Sequence, residues 1–520
     1  MIKGFQSEKF NCLFPTEYNI FIEKSDTEET RRCEKTHRVT DEKYILEISA
    51  DGIKILCSGE KSAFYALCDI KERFANGKPQ TGRFVCSPSF RIRGYIEGFY
   101  GEPWTFEKRL SVMKLMAENR MNTVYYAPKD DDYHRDLWRE KYPPDALEKL
   151  AGLVEFAEKN YMDFHWCIAP GLSIKYSDEN EFSLLVEKTK QLCSIGIRNF
   201  GLLLDDISSE LVFEEDKAKY SETVNAHIDL IERYYAALKE IDAGISLTVC
   251  PTLYHGSGTE YYISKLGKDI SPEINIFWTG RDICSRELTS FEALKFIEGT
   301  NHKPLYWDNY PVNDCAMFNE MHLSPIINRD PDLWKYSAGI ISNCMEYAEC
   351  SKIPLITFAD YLWDSENYNY DSSWKKAIGQ VIGRENVESF MPFADHLRTS
   401  CLKDENSAEF FAAVGRMETE FRNGNKSGLY SIMRTLSEKM NISRELLKKD
   451  IPLFAELSKW IEKFNIACEL INKVIQLESG ADEKLLAEID SLAEKYESNP
   501  TRLTEDINIR AEVRKLAKLN

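Results

Sequence analysis

Phe200-Gly201-Leu202-Leu203-Leu204-Asp205-Asp206 passes from an apolar run to two adjacent carboxylates in one step. The apolar part reads as a buried β-strand. Its acidic end sets charge at the mouth of a core, where ionised groups are costly and are kept for a use. Seven other short runs have a similar make-up, at 92–96, 123–126, 164–168, 245–249, 274–278, 304–307 and 339–342. The intervals between them hold apolar residues at helical spacing, such as Leu110, Met113, Leu115 and Met116, or Leu147, Leu150, Leu153, Val154 and Ala157. Eight strands in β-then-α order across 89–372 predict a (β/α)8 TIM barrel, an α/β fold. The competing arrangement is a doubly wound open sheet, but no GxGxxG turn follows the first strand.

Polar or special residues follow the other strands as they follow Leu204: Glu97-Gly98, Pro128-Lys129-Asp130-Asp131, Ala169-Pro170-Gly171, Cys250-Pro251-Thr252, Thr279-Gly280-Arg281, Asp308-Asn309 and Asn343. Barrel enzymes gather their active sites at the carboxyl ends of the strands. On either side of the barrel the rhythm changes. Residues 1–88 read as a small α/β domain, with strands at 44–48 and 53–57 around Asp51-Gly52. A helix carrying Phe64, Leu67, Ile70 and Phe74 follows. Residues 373–520 read as an α-helical bundle, with stripes through Leu429, Ile432, Met433, Leu436 and Met440, through Leu457, Trp460, Ile461, Phe464, Ile471 and Val474, and through Leu485, Leu486, Ile489 and Leu492.

The chain has 520 residues, 43% hydrophobic and 29% charged, which suits a multi-domain globular protein. Its net charge of −19 repels phosphate backbones and argues against a nucleic-acid partner. Its 14 cysteines form no CxxC pair and read as small buried hydrophobes. No apolar signal-peptide stretch stands in Met1–Glu8 and no segment has the length of a membrane span, so the expected location is cytoplasmic, or secreted if a leader has been removed.

Asp205 and Asp206 cannot straddle a sugar ring as the two carboxylates of an ordinary retaining glycosidase do, about 5 Å apart and on opposite sides. If both serve one sugar, one protonates the leaving oxygen and the other assists a nucleophile that belongs to the substrate. The pair also suits a helix cap, or a divalent metal site shared with His134. HExxH is absent. Lys129 could donate to sugar hydroxyls or belong to a solvated charged loop. Trp307-Asp308-Asn309 with Asp314 suits a sugar pocket, or an ordinary polar loop around a packed indole. Tyr254 could reach a reacting group. Cys250 reads as a wall, since no histidine partner activates it.

The stretch Arg93-Gly94-Tyr95-Ile96-Glu97-Gly98-Phe99-Tyr100-Gly101-Glu102-Pro103-Trp104-Thr105 resembles the opening barrel strand of glycoside hydrolase family eighty-four, the O-GlcNAcases and bacterial N-acetylglucosaminidases and "hyaluronidases". The stretches 126–135, Leu204-Asp205-Asp206-Ile207, 307–314 and Lys352-Ile353-Pro354-Leu355 fit the same family in order. The resemblance implies a retaining exo-β-N-acetylglucosaminidase without metal or organic cofactor, acting on GlcNAc-bearing glycans or glycoproteins, with a homodimer among the allowed assemblies. It implies that Asp205 orients the substrate acetamide, which attacks the anomeric carbon and forms an oxazoline, and that Asp206 is the general acid and then the base. Gly98, Lys129, Asn309, Asp314 and Asn343 match positions that bind hydroxyls and acetamide. Tyr254 matches a residue near the acetamide, Trp307 a wall of its pocket and Cys250 its lining. Asp132 and Cys344 stand where the family often has proline. Protein-linked GlcNAc, mucin glycans and chitin-like oligomers share this terminal sugar, so the motifs define the sugar and leave the aglycone open.

Overall fold

The computed structural model describes residues 20–504 except 26, 27, 34, 36, 37, 76, 130, 399, 403–406 and 481. Met1–Glu8, read above for a leader, and Asp130 lie outside the described residues. Among the described residues, six strands precede the barrel: β1 (Ile20–Lys24), β2 (Arg32–Cys33), β3 (Arg38–Val39), β4 (Tyr44–Ile48), β5 (Ile53–Cys57) and β6 (Gly82–Cys86). β1-β5-β4-β6 form one sheet, and β2 pairs with β3. The helix Glu60–Ala75 buries Ala63, Ala66, Leu67 and Ile70 in the core of this layer. β4 and β5 stand where the sequence put them. β1 and the largely exposed β6 escaped it, because their half-exposed faces carry no clear apolar period.

The closed barrel consists of β7 (Ile92–Glu97), β8 (Thr123–Tyr126), β9 (Asp163–Ile168), β10 (Asn199–Leu203), β11 (Ser246–Cys250), β12 (Asn275–Trp278), β13 (Pro304–Asp308) and β14 (Gly339–Asn343), all parallel, with β14 closing on β7. All eight lie within a residue of the positions expected. Parallel strands are buried on both faces, and the alternation of side chains sorts them into two cores. Ile96, Tyr125, Cys167, Leu203, Phe277, Leu305 and Ile341 fill the interior, while Leu202 and Leu204 pack outward among the helices. Gly201 permits a close approach inside, since a Cβ there would lie 2.4 Å from Cys167 Sγ. The parity that points Leu203 inward also points Asp205 toward the barrel axis, above this plug.

The flanking regions are joined to the barrel by specific buried contacts. Trp363, at the end of the helix Ala348–Trp363, belongs to the amino-terminal core. Arg93, wholly buried at the start of β7, donates to Glu42 Oε2 (2.7 Å) and to the carbonyls of Phe90 (2.9 Å) and Arg120 (3.0 Å). On the other side, helices Lys426–Leu446, Ser458–Gln476 and Glu483–Ser498 carry the three stripes seen in the sequence. Met440, Leu457, Trp460 and Phe464 share the barrel's outer core, whereas Leu429, Met433, Val474 and Ile489 form a second cluster between the helices. Trp460 donates to Asn319 O (3.2 Å) and sets its ring edge-on to Tyr347.

Burial alone would raise the Glu42 carboxyl, but Arg93 and Lys61 outweigh it and hold its pKa down at about 2. A carboxyl depressed on folding adds stability that is full above its unfolded pKa and fades as pH falls through the folded one. Glu42→Ala is therefore expected to cost about 3–5 kcal/mol at neutral pH by leaving Arg93 buried without its partner. In denaturant titrations of wild type and variant, that gap should narrow as pH falls from about 4.5 toward 2.

Candidate active site

One open cleft of about 220 Å³ lies at the carboxyl ends of the strands, and all ten site residues implied by the family resemblance line it. Asp205 and Asp206 cap no helix, since the next helix starts only at Glu214. Asp206 has a φ of 52°, in the left-handed region that few residues other than glycine adopt. This breaks the alternation of the strand, so that both carboxylates stay on the cleft side.

The two acids have different surroundings. Asp205 is nearly buried and accepts from Lys129 Nζ at 3.3 Å. Burial would lower the Lys129 pKa, but Asp205, with Tyr100 and Asp206, raises it above the ordinary lysine value, and the ammonium stays charged. Asp206 accepts from two phenols, Tyr100 Oη at 2.8 Å and Tyr254 Oη at 3.1 Å. Burial and then the Asp206 charge push the Tyr254 phenol well above its usual pKa, so it acts as a donor. Tyr100 has a second bond: its amide donates to Asp314 Oδ2 at 2.8 Å. Burial raises the Asp314 carboxyl, and that amide opposes the rise.

The opposite wall is made by β13, β14 and the turn after β7. Trp307 Nε1 (3.0 Å) and Asn343 Nδ2 (2.9 Å) both donate to Asn309 Oδ1, and Asn309 Nδ2 donates to Ile283 O (2.7 Å). This arrangement fixes both amides, and leaves Asn343 Oδ1 buried without a partner. The wall needs Gly98, whose Cβ would stand 2.6 Å from Trp307 Cζ2 and 3.2 Å from Asn343 Oδ1. Cys250 lines the floor. Burial, and then Asp205, push its thiol well above the ordinary value, so it remains a protonated wall.

Other strand-end groups serve the fold. Glu97 accepts from Arg109 (2.7 and 2.8 Å) and the Trp104 amide. Asp308 is clamped by Arg329 (2.6 and 2.8 Å). Asp131 accepts from Tyr126, Tyr142 and the Tyr133 amide. Lys352 bonds Ser111 and Glu349 behind β14, away from the cleft. His134 is fully buried, places Nδ1 2.7 Å from Cys167 O, and is held neutral by burial with its pKa down at about 4. Among the described residues, no group of three His, Cys, Asp or Glu side chains is placed to hold a metal ion. Sequence reasoning missed Tyr100, Ile283 and Cys315 as lining residues. Tyr100, two positions past Gly98, was open to detection by its place after a strand end. Ile283 and Cys315 lie on longer loops that no period orders.

Paired carboxylates stand at one strand end of a (β/α)8 barrel, and amide, phenol and indole groups converge with them on one cleft. Residues 93–395 match the model of the beta-N-acetylglucosaminidase (NAGidase) family, more than half of the chain, and the chain belongs to that family. It is similar to the Protein O-GlcNAcase of Rattus norvegicus and that of Mus musculus, at 31% identity over 293 residues in each case. Those matches take in 55% of this chain and 30% of each relative, so the chain spans under a third of the length of these proteins. Among solved structures it is similar to a mutant O-GlcNAc hydrolase of Thermobaculum terrenum, with a TM-score of 0.78, 30% identity, and coverage of 82% of this chain and 94% of that one. It is similar also to CpGH84B, with a TM-score of 0.80, 28% identity, and coverage of 92% and 86%. Among the described residues, no helix is long and apolar enough to cross a membrane.

Gly98→Ala should leave the fold intact and damage the cleft, because its methyl group collides with Trp307. The expected outcome is a melting temperature close to wild type with binding of a GlcNAc-derived inhibitor weakened at least tenfold, about 1.4 kcal/mol, by calorimetry.

Proposed function

We propose that the chain is a retaining exo-β-N-acetylglucosaminidase that removes terminal β-linked GlcNAc from glycans or glycoproteins by substrate-assisted catalysis. The observation that carries this reading is the unequal environment of two neighbouring acids: Asp205 sunk against Lys129, Asp206 at the mouth between two phenols. Carboxylates in different settings take different roles. Asp205, paired with Lys129, accepts the acetamide N–H of the sugar and makes the acetamide oxygen more electron-rich. That oxygen attacks the anomeric carbon as the glycosidic bond breaks, and Asp206 gives its proton to the leaving oxygen. The product of the first step is a cyclic oxazoline, its nitrogen proton passed to Asp205 and returned to nitrogen when the ring reopens. In the second step Asp206 takes a proton from water, which attacks the anomeric carbon from the face the aglycone has left, and the acetamide is restored. Two displacements at one carbon retain its configuration.

The remaining groups hold the sugar. Asp314, Asn309 and Asn343 suit hydroxyls, and Trp307 with Cys250 forms an apolar wall for the acetamide methyl. Tyr254, bonded to Asp206, lines the cleft beside the position proposed for the acetamide.

A general acid contributes about 10²–10⁴ in rate. Asp206→Asn should therefore lose about that factor in kcat/KM on alkyl or glycan-linked GlcNAc and far less on aryl glycosides whose leaving group needs no proton. Equal losses on both classes would contradict the assignment of Asp206.

A further inference from the structure

Behind the two acids runs a chain of hydrogen bonds that the proposed reaction does not use. Leu204, between β10 and Asp205, donates its amide to Cys250 O (2.8 Å), and its carbonyl accepts from Thr252 Oγ1 (2.7 Å). The Thr252 amide donates to Tyr262 Oη (3.3 Å). Tyr262 Oη lies 2.7 Å from His227 Nδ1, and His227 Nε2 lies 3.0 Å from Tyr176 Oη. At the far end the buried carboxylate of Asp216 accepts from the amides of Tyr176 (3.0 Å) and Ser177 (2.7 Å). Tyr262 stands on the helix Tyr261–Asp269 and His227 on the helix Thr223–Ile241, so the end of β10 is tied to two helices of the outer ring.

We infer that Thr252 is a positioning residue for Asp205, fixing the Leu204–Asp205 peptide through its hydroxyl and being fixed in turn by the Tyr262–His227–Tyr176 chain. The inference rests on the reading of Asp205 as the group that orients the acetamide. A peptide unit is planar, so holding the Leu204 carbonyl also holds the Asp205 nitrogen and the axis about which Asp205 swings. The next residue, Asp206, has a φ of 52° and persists there only if its surroundings over-determine the backbone. Lys129, Tyr100 and Tyr254 hold the carboxylates from the cleft side, where substrate competes for them. Thr252 holds the backbone from behind, where substrate does not reach. His227 fits this role because it is fully buried and its pKa is pushed down to about 4. A neutral imidazole offers one N–H and one lone pair, and so joins two phenols without bringing charge into the core.

The test uses the full chain with Thr252→Val, Thr252→Ser and Tyr262→Phe. Each is assayed on two aryl β-N-acetylglucosaminides, one with a good and one with a poor leaving group, together with inhibition by a thiazoline mimic of the oxazoline. Thr252→Val should lower kcat about ten- to a hundredfold and weaken thiazoline binding, since a small misplacement of a reacting group costs that much. The loss should be the same for both leaving groups, because the acid is not the group displaced. Thr252→Ser, which keeps the hydroxyl, should retain most of the wild-type rate. Tyr262→Phe should show a smaller loss of the same kind, and it serves if the valine variant fails to fold. Wild-type activity in Thr252→Val, a serine variant as impaired as the valine one, or a loss confined to the poor leaving group would each overturn the inference. A wild-type chain inert toward both glycosides would instead overturn the glycosidase reading and this assignment with it.

Discussion

Two carboxylates on consecutive residues repel each other, and a strand would normally send them to opposite faces. The structure depends on resolving that conflict at the end of β10. Strand parity brings Asp205 over the barrel axis, and the left-handed turn at Asp206 keeps the second acid in the same cleft. The two side chains are then held by different partners: an ammonium for Asp205 and two phenolic hydroxyls for Asp206. Much else in the site follows from this division. Tyr100 links the turn after β7 to Asp206 through its side chain and to Asp314 through its amide, so the acid and the opposite wall are set by one residue.

The rest of the molecule keeps this geometry rigid. The plug of Tyr125, Leu203, Phe277 and Leu305 closes the barrel beneath the cleft, with Tyr125 Oη bonded to Thr248 Oγ1 at 2.9 Å. Acids at other strand ends are taken up by arginines, as Glu97 is by Arg109 and Asp308 by Arg329. These pairs leave the cleft a limited set of free polar groups. The amino-terminal layer and the carboxyl-terminal helices are held by buried contacts at Arg93, Trp363 and Trp460, and so belong to the structural support of the barrel.

The barrel was legible because each parallel strand is apolar on both faces and ends abruptly in a polar residue. The parity at Leu203–Leu204–Asp205 follows from the same rule. The gathering of Gly98, Lys129, Asn309 and Asn343 around the pair could be read because barrel topology brings strand ends together whatever their distance in sequence. What could not be read depends on which neighbour wins a given side chain. Glu97 and Asp308 stand at strand ends as the cleft residues do, and the positions of Arg109 and Arg329 remove them from the cleft. His134 offered a metal site only as an alternative to a structural hydrogen bond, and the structure sets its Nδ1 against Cys167 O. The edge strands β1 and β6 lack a buried face on one side, and the lining roles of Ile283 and Cys315 depend on loop paths that carry no period.

The central claim is that the nucleophile is the acetamide oxygen of the sugar itself. It is tested most directly by measuring kcat/KM for one aryl β-glucosaminide whose N-acetyl group carries zero, one, two or three fluorines. Each fluorine withdraws electrons from the acetamide oxygen while changing its size little. The account predicts a steep, progressive fall in rate across the series. A flat series, or equal hydrolysis of the parent sugar lacking the acetamide, would contradict it.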